Sequence, residues 1–141
     1  MTLVCHVGPD GDALGSMLAL GAALRAGGRT VRASWGSMPF EVPAAYASLP
    51  ALDLLVAADD VPIAPPLLVT FDTGSTDRLG SLADRVDTAG AVLVVDHHAS
   101  NTRFGSVNLV DPDAAATAVL VADILQKVIR ARAKLQNIRS A

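Results

Sequence analysis

The sequence predicts an α/β fold: an open, mainly parallel Rossmann-like sheet flanked by helices. Apolar runs of four to six residues recur along the chain, and segments with helical spacing separate them. That alternation is expected of parallel strands joined by crossover helices. Three of the runs also end in polar clusters, HVGPDGD, DTGS and DHH.

Leu3 to Val7 is the first predicted strand. The turn GPDG follows, and Asp12 stands where it would cap a helix carrying Leu14, Met17, Leu18, Ala22 and Leu24 at core spacing. Gly27-Gly28 stops that helix, and Thr30 to Ser34 makes a second strand. The stretch SMPFEVPAAYASLP holds three prolines, which predicts a loop with one short helix. Leu52 to Ala57 is predicted as a short strand, ended by the breaker DDVPIAPP. Leu67 to Phe71 is a buried strand, Asp77 to Val86 a helix, and Ala91 to Val95 a further buried strand. From about Asp113 to the end, Ala116, Val119, Leu120, Ile124, Val128 and Ile129 predict a long amphipathic helix. No internal repeat, low-complexity tract or linker interrupts this order, so one compact unit is expected.

A chain of 141 residues, 51% of them hydrophobic, can bury a substantial core. Its net charge of −3 creates no field that would hold a polyanion, so affinity for nucleotides must come from a local site or bound cations. Basic residues gather at the end: Lys127, Arg130, Arg132, Lys134 and Arg139 are five of the eleven. Cys5 is the single cysteine, which excludes an internal disulfide and suits a reducing compartment. In its apolar run it reads as a small buried hydrophobe. MTLVCHVGPDGD lacks the basic start and apolar stretch of a signal peptide, and no apolar segment is long enough to span a bilayer. A cytoplasmic location without membrane contact is expected.

Chemistry is predicted where the three polar clusters meet. In an open parallel sheet, ligands bind beyond the carboxyl ends of the strands, so clusters far apart in sequence converge. Asp10 and Asp12, two apart in a Gly/Pro turn, would point to one side of an extended backbone and give one carboxylate to each of two metal ions. Asp72 would bridge the ions, and His6 and His97 would supply neutral nitrogen ligands. Oxygen and nitrogen donors without thiolate favour Mn²⁺ or Mg²⁺, with Zn²⁺ or Fe²⁺ as less natural alternatives. Each residue also has an ordinary reading, as turn, cap or satisfied histidine. The set is harder to explain so, because several like charges at one sheet end are costly unless cations neutralise them. GPDGDALGS lacks the Lys of a phosphate-cradling GxxxxGK[ST] loop and misses GxGxxG spacing, and GxSxG is absent.

The ordered motifs HVGPDGDALGS, VTFDTGSTDRLG and VVDHHASN, with NLVDPDAAATAVLVADIL after them, resemble the DHH family of phosphoesterases. The likeness is greatest to bacterial oligoribonucleases that also act as phosphatases on adenosine 3′,5′-bisphosphate. The resemblance implies that His6 and Asp10 hold one manganese ion, Asp12 and His97 the other, and that Asp72 bridges them. Asp96 would orient a histidine from behind, His98 would act as donor or general acid at the scissile phosphate, and Ser100 or Asn101 would touch substrate phosphate. Short RNA or a nucleotide phosphoester would be the substrate, cleaved by an activated water without a covalent intermediate.

The likeness covers residues 2 to about 126. It implies a partial DHH domain over 1–126 and, over 127–141, a basic carboxyl-terminal helix or a tail outside the family. Members of the family continue with a further metal-binding aspartate and a separate substrate domain bearing a GGGH-like segment. For a chain without them the resemblance implies weakened activity, self-association through exposed sheet edge, or a substrate domain supplied in trans. A reading of another class is a non-catalytic remnant that binds metal, nucleotide or a partner.

Overall fold

The computed structural model describes residues 1–139. Five parallel strands, β1 (Thr2–Cys5), β2 (Arg32–Trp35), β3 (Leu68–Phe71), β4 (Val92–Asp96) and β5 (Val107–Val110), form one sheet in the order β2-β1-β3-β4-β5. The predicted α/β sheet is therefore present, with every strand pair parallel. Helices α1 (Gly11–Ala26) and α3 (Thr117–Arg139) pack together with one face of the sheet, and α2 (Arg85–Thr88) is a single turn.

The central strands are buried on both faces, which is why they read as continuous apolar runs. On the helical face, Leu3, Cys5, Phe71 and Val95 meet Leu14, Met17 and Leu18 of α1 and Leu120 and Val121 of α3. On the other face, Val4, Leu68 and Val94 pack under Leu79 and Leu82. The register then fixes which residues stand together at the carboxyl ends of the strands. Cys5 pairs with Phe71 and Phe71 with Val95, so the next residues, His6, Asp72 and Asp96, form one row across the sheet edge.

Several elements differ from the sequence reading, each for a physical reason. Leu52 to Ala57 is not a strand: Leu52–Leu54 is a 3-10 turn, and the segment touches the sheet by a single bridge between Leu55 and Ala33. Asp77 to Val86 is not one helix. A 3-10 stretch, Thr76–Leu82, breaks at Gly80 (φ 58°, ψ −128°) before α2 begins. A Cβ at Gly80 would lie 2.5 Å from both the Gly36 carbonyl oxygen and Val7 Cγ1, so the loop can close on β1 only through glycine. Asp12 does not cap α1; Asp10 does, its Oδ1 accepting from the Ala13 amide at 2.9 Å. The second strand is displaced to Arg32–Trp35, and the last helix begins at Thr117 rather than near Asp113.

β5 had no counterpart among the predicted strands. It is an edge strand whose Val107 and Leu109 are exposed. α3 continues through positions 127–139, where a basic helix or unrelated tail was expected. Among the described residues, no helix is long and apolar enough to cross a membrane.

Candidate metal centre

His6 leaves β1 with its ring largely buried. Its Nδ1 lies 2.9 Å from the Val7 carbonyl oxygen, which can only accept, so Nδ1 carries the proton and Nε2 is free in the neutral ring. That Nε2 lies 3.9 Å from Asp10 Oδ1 and 3.7 Å from Asp72 Oδ2. His97, one residue beyond β4, repeats the pattern. Its Nδ1 lies 3.2 Å from the Ala114 carbonyl, and its Nε2 is 3.5 Å from Asp72 Oδ1 and 3.9 Å from Asp12 Oδ2. A backbone carbonyl on one ring nitrogen, leaving the other free, is the usual support of a metal-ligating histidine.

Asp72 stands between the two histidines and is only 4% exposed. Its φ of 54° is left-handed, a conformation that aspartate adopts more readily than most residues. The Thr117 hydroxyl donates to Asp72 Oδ1 at 2.9 Å. Burial pushes the Asp72 carboxyl upward, but the His6 ring, the Thr117 hydroxyl and the charge of His98 outweigh it and hold the pKa below the usual value. Asp72 in turn raises the His6 imidazole above its ordinary value, against the lowering effect of burial. Cys5 lies beneath in the core; burial drives its thiol far up and leaves it an inert hydrophobe.

The Asp10/Asp12 pair is not extended throughout, as the sequence reading supposed. Asp10 is extended (φ −98°, ψ −173°), whereas Asp12 lies in the first turn of α1, so the two carboxylates part company. Asp10 faces His6. Asp12 faces His97 and accepts from the first amides of α3, Thr117 N at 2.9 Å and Ala118 N at 2.8 Å. Asp12 is thus a helix cap after all, but of the last helix rather than the first.

Behind this cluster, the buried Asp96 carboxylate accepts from His98 Nδ1 at 2.7 Å and from Asn101 Nδ2 at 2.6 Å. The Asn101 amide also donates to the Thr73 carbonyl at 3.0 Å, which engages it with the protein rather than with the cavity. His98 Nδ1 is 3.7 Å from Asp72 Oδ1 but donates its hydrogen bond to Asp96, so the free nitrogen of the neutral ring is Nε2. Two groups have donor atoms within 4.8 Å of one another and so can hold a metal ion: His6, Asp10 and Asp72, and Asp72, His97 and His98. A cavity of about 460 Å³ opens beside the first, with His98 and Ser100 in its wall. Of the residues predicted as ligands, His6, Asp10, Asp72 and His97 fall in these groups; Asp12 is in neither and lies 3.9 Å from His97 Nε2, while His98 joins the second. Thr117, Arg78 and Ser75 were missed, although a threonine opening the last helix is a signal that cap rules can find.

The family profile described as "DHH family, N-terminal domain" matches residues 1–140. The chain belongs to the DHH family. This DHH chain is 38% identical over 125 residues to the bifunctional oligoribonuclease and PAP phosphatase NrnA of Thermus thermophilus, a match covering 87% of the chain and 35% of that protein. Among solved structures, an exopolyphosphatase-related protein from Bacteroides fragilis shares the fold with a TM-score of 0.77 at 21% identity, over 89% of this chain and 38% of that one. The DHH chain thus spans little more than a third of the length of these relatives.

Proposed function

We propose that the chain is a metal-dependent phosphoesterase that hydrolyses short oligoribonucleotides or small nucleotide phosphoesters at a site for two Mn²⁺ ions, with Mg²⁺ as the alternative. The observation that carries this reading is the division of labour at Asp72. One carboxylate oxygen faces His6, with Asp10 beyond, and the other faces His97, with Asp12 beyond. The donor set is oxygen and imidazole nitrogen without thiolate, which fits Mn²⁺. When bound, such a pair neutralises phosphate charge and makes water a nucleophile near neutral pH.

The residues of the chain do the rest. Asp96 holds His98 by Nδ1, which leaves Nε2 as the nitrogen that exchanges protons with the site: in the imidazolium form it delivers a proton to the leaving oxygen. Asn101 fixes Asp96 in turn and is assigned a positioning role, while Ser100, in the cavity wall, is a hydroxyl available to substrate phosphate. The relationship to the Thermus oligoribonuclease and PAP phosphatase supports the choice of substrates.

The test is phosphate and mononucleotide release from a short oligoribonucleotide and from adenosine 3′,5′-bisphosphate at saturating manganese. Turnover that disappears on chelation is expected. Metal uptake with no release of either product would instead identify a binding module. Thr117 supplies a second prediction. Thr117→Val keeps the shape but deletes the bond to Asp72, and manganese affinity measured by calorimetry is expected to fall about 10- to 100-fold. Thr117→Ser should restore it.

A further inference from the structure

The cavity beside the metal centre is lopsided. It runs along the His6, Asp10 and Asp72 side, whereas Asp12 and His97 do not line it. Its size, about 460 Å³, lies in the range that holds a whole small ligand rather than one phosphate group. Apart from the proposed metal ligands and His98, its polar lining residues are Ser75, Ser100, Thr102 and Arg78, with no further carboxylate. Among the described residues, the side chains of Ser75, Ser100 and Arg78 take part in no hydrogen bond or ion pair, and the Thr102 hydroxyl makes only a long one, 3.4 Å to Gly74.

Arg78 is nonetheless held firmly at its base. Its carbonyl accepts from the Val7 amide at 2.8 Å, one residue from His6, and its amide donates to Ser75 at 3.2 Å. The following Leu79 is fully buried, and the Gly36 carbonyl accepts from Ser81 at 3.0 Å. The loop that carries the guanidinium is therefore tied to the strand that carries His6. A fork of five donors that is paired with no acid, on a residue sharing the cavity with serine and threonine, is suited to a phosphate oxyanion.

We propose that Arg78, with Ser75 and Ser100, binds a second phosphate of the substrate, one that is not cleaved, and so favours nucleotides with two phosphates over those with one. This rests on the phosphoesterase reading and adds the group that discriminates among its substrates. The guanidinium makes charge-assisted bonds that a monophosphate seated at the metal centre does not use.

The experiment is calorimetric titration of the manganese-loaded 141-residue chain with a non-hydrolysable phosphonate analogue of adenosine 3′,5′-bisphosphate and with adenosine 5′-monophosphate. The same titrations are run on Arg78→Ala, Arg78→Gln, Arg78→Lys and, as a cation outside the cavity, Arg103→Ala. In the unaltered chain the bisphosphate analogue is expected to bind about tenfold more tightly or better, the range of charge-assisted bonds. Arg78→Ala and Arg78→Gln should bring the ratio to about threefold or less, Arg78→Lys should retain part of it, and Arg103→Ala should leave it as it was. Because the Arg78 side chain is exposed and its backbone bonds survive substitution, the variants should melt with the parent. An equal affinity for the two nucleotides in the unaltered chain, or an undiminished ratio in Arg78→Ala, overturns the subsite while leaving manganese-dependent turnover intact. Absence of both binding and turnover in the unaltered chain overturns the phosphoesterase reading together with it.

Discussion

Asp72→Asn is expected to lower manganese-dependent turnover at least about a thousandfold. A shared carboxylate contributes several kcal/mol through the ions it holds, and about 1.36 kcal/mol corresponds to each factor of ten in rate. The substitution is chosen because the fold should survive it. Asparagine tolerates the left-handed φ of 54° at this position, and its amide oxygen can still accept from the Thr117 hydroxyl. What it loses is the charge and one of two opposed acceptors. Melting curves give an independent reading. At a hundredfold excess over the dissociation constant, a ligand bound only by the native state adds about 2.7 kcal/mol, a rise of about 10 °C for a domain of this size. Manganese should produce such a rise in the unaltered chain and less than about 2 °C in Asp72→Asn. An undiminished rise in the variant would show that the two half-sites do not share this carboxylate.

The part of the site most legible in the sequence is the part that parallel register imposes. His6, Asp72 and Asp96 lie far apart along the chain, but each directly succeeds, or ends, a run that must be a buried strand, and in-register parallel strands finish together. Elements at the margins of the sheet were less legible. Val107–Val110 alternates between exposed and half-buried, is only four residues long and carries an asparagine, so it offers neither a buried run nor a clean amphipathic pattern. Leu52 to Ala57 has the composition of a strand but makes one bridge at the sheet edge and spends Leu52–Leu54 in a 3-10 turn. The break at Gly80 results from how closely the loop approaches Gly36 and Val7, a tertiary fact with no local sign beyond the glycine itself. Arg78, two residues before that break, is held by the Val7 amide on its carbonyl, a contact equally without a local sign, which is why Arg78 escaped notice while His98 and Ser100 did not.

Asp12 escaped in a different way, since the residue was recognised but its local partner was not, and its two roles can be separated by two substitutions. Its oxygens accept from Thr117 N and Ala118 N, at the amino-terminal end of α3, while Oδ2 also lies 3.9 Å from His97 Nε2. The helix macrodipole favours a carboxylate there in any case. Asp12→Ala leaves both amides without their partner, and since a lost cap costs about 1–2 kcal/mol, the metal-free protein should melt about 4–8 °C lower. α3 contributes Leu120 and Val121 to the core, so its loosening is felt by the whole domain. Asp12→Asn keeps an acceptor oxygen for the helix but removes the charge. It should lose less than half as much stability in the absence of metal, yet respond to manganese as weakly as the alanine variant. If the asparagine variant is stabilised by manganese as fully as the parent, Asp12 is a cap alone and the second ion must find its ligands elsewhere. If instead the two variants melt together without metal, the bonds to α3 contribute little, and the carboxylate is kept for the ion.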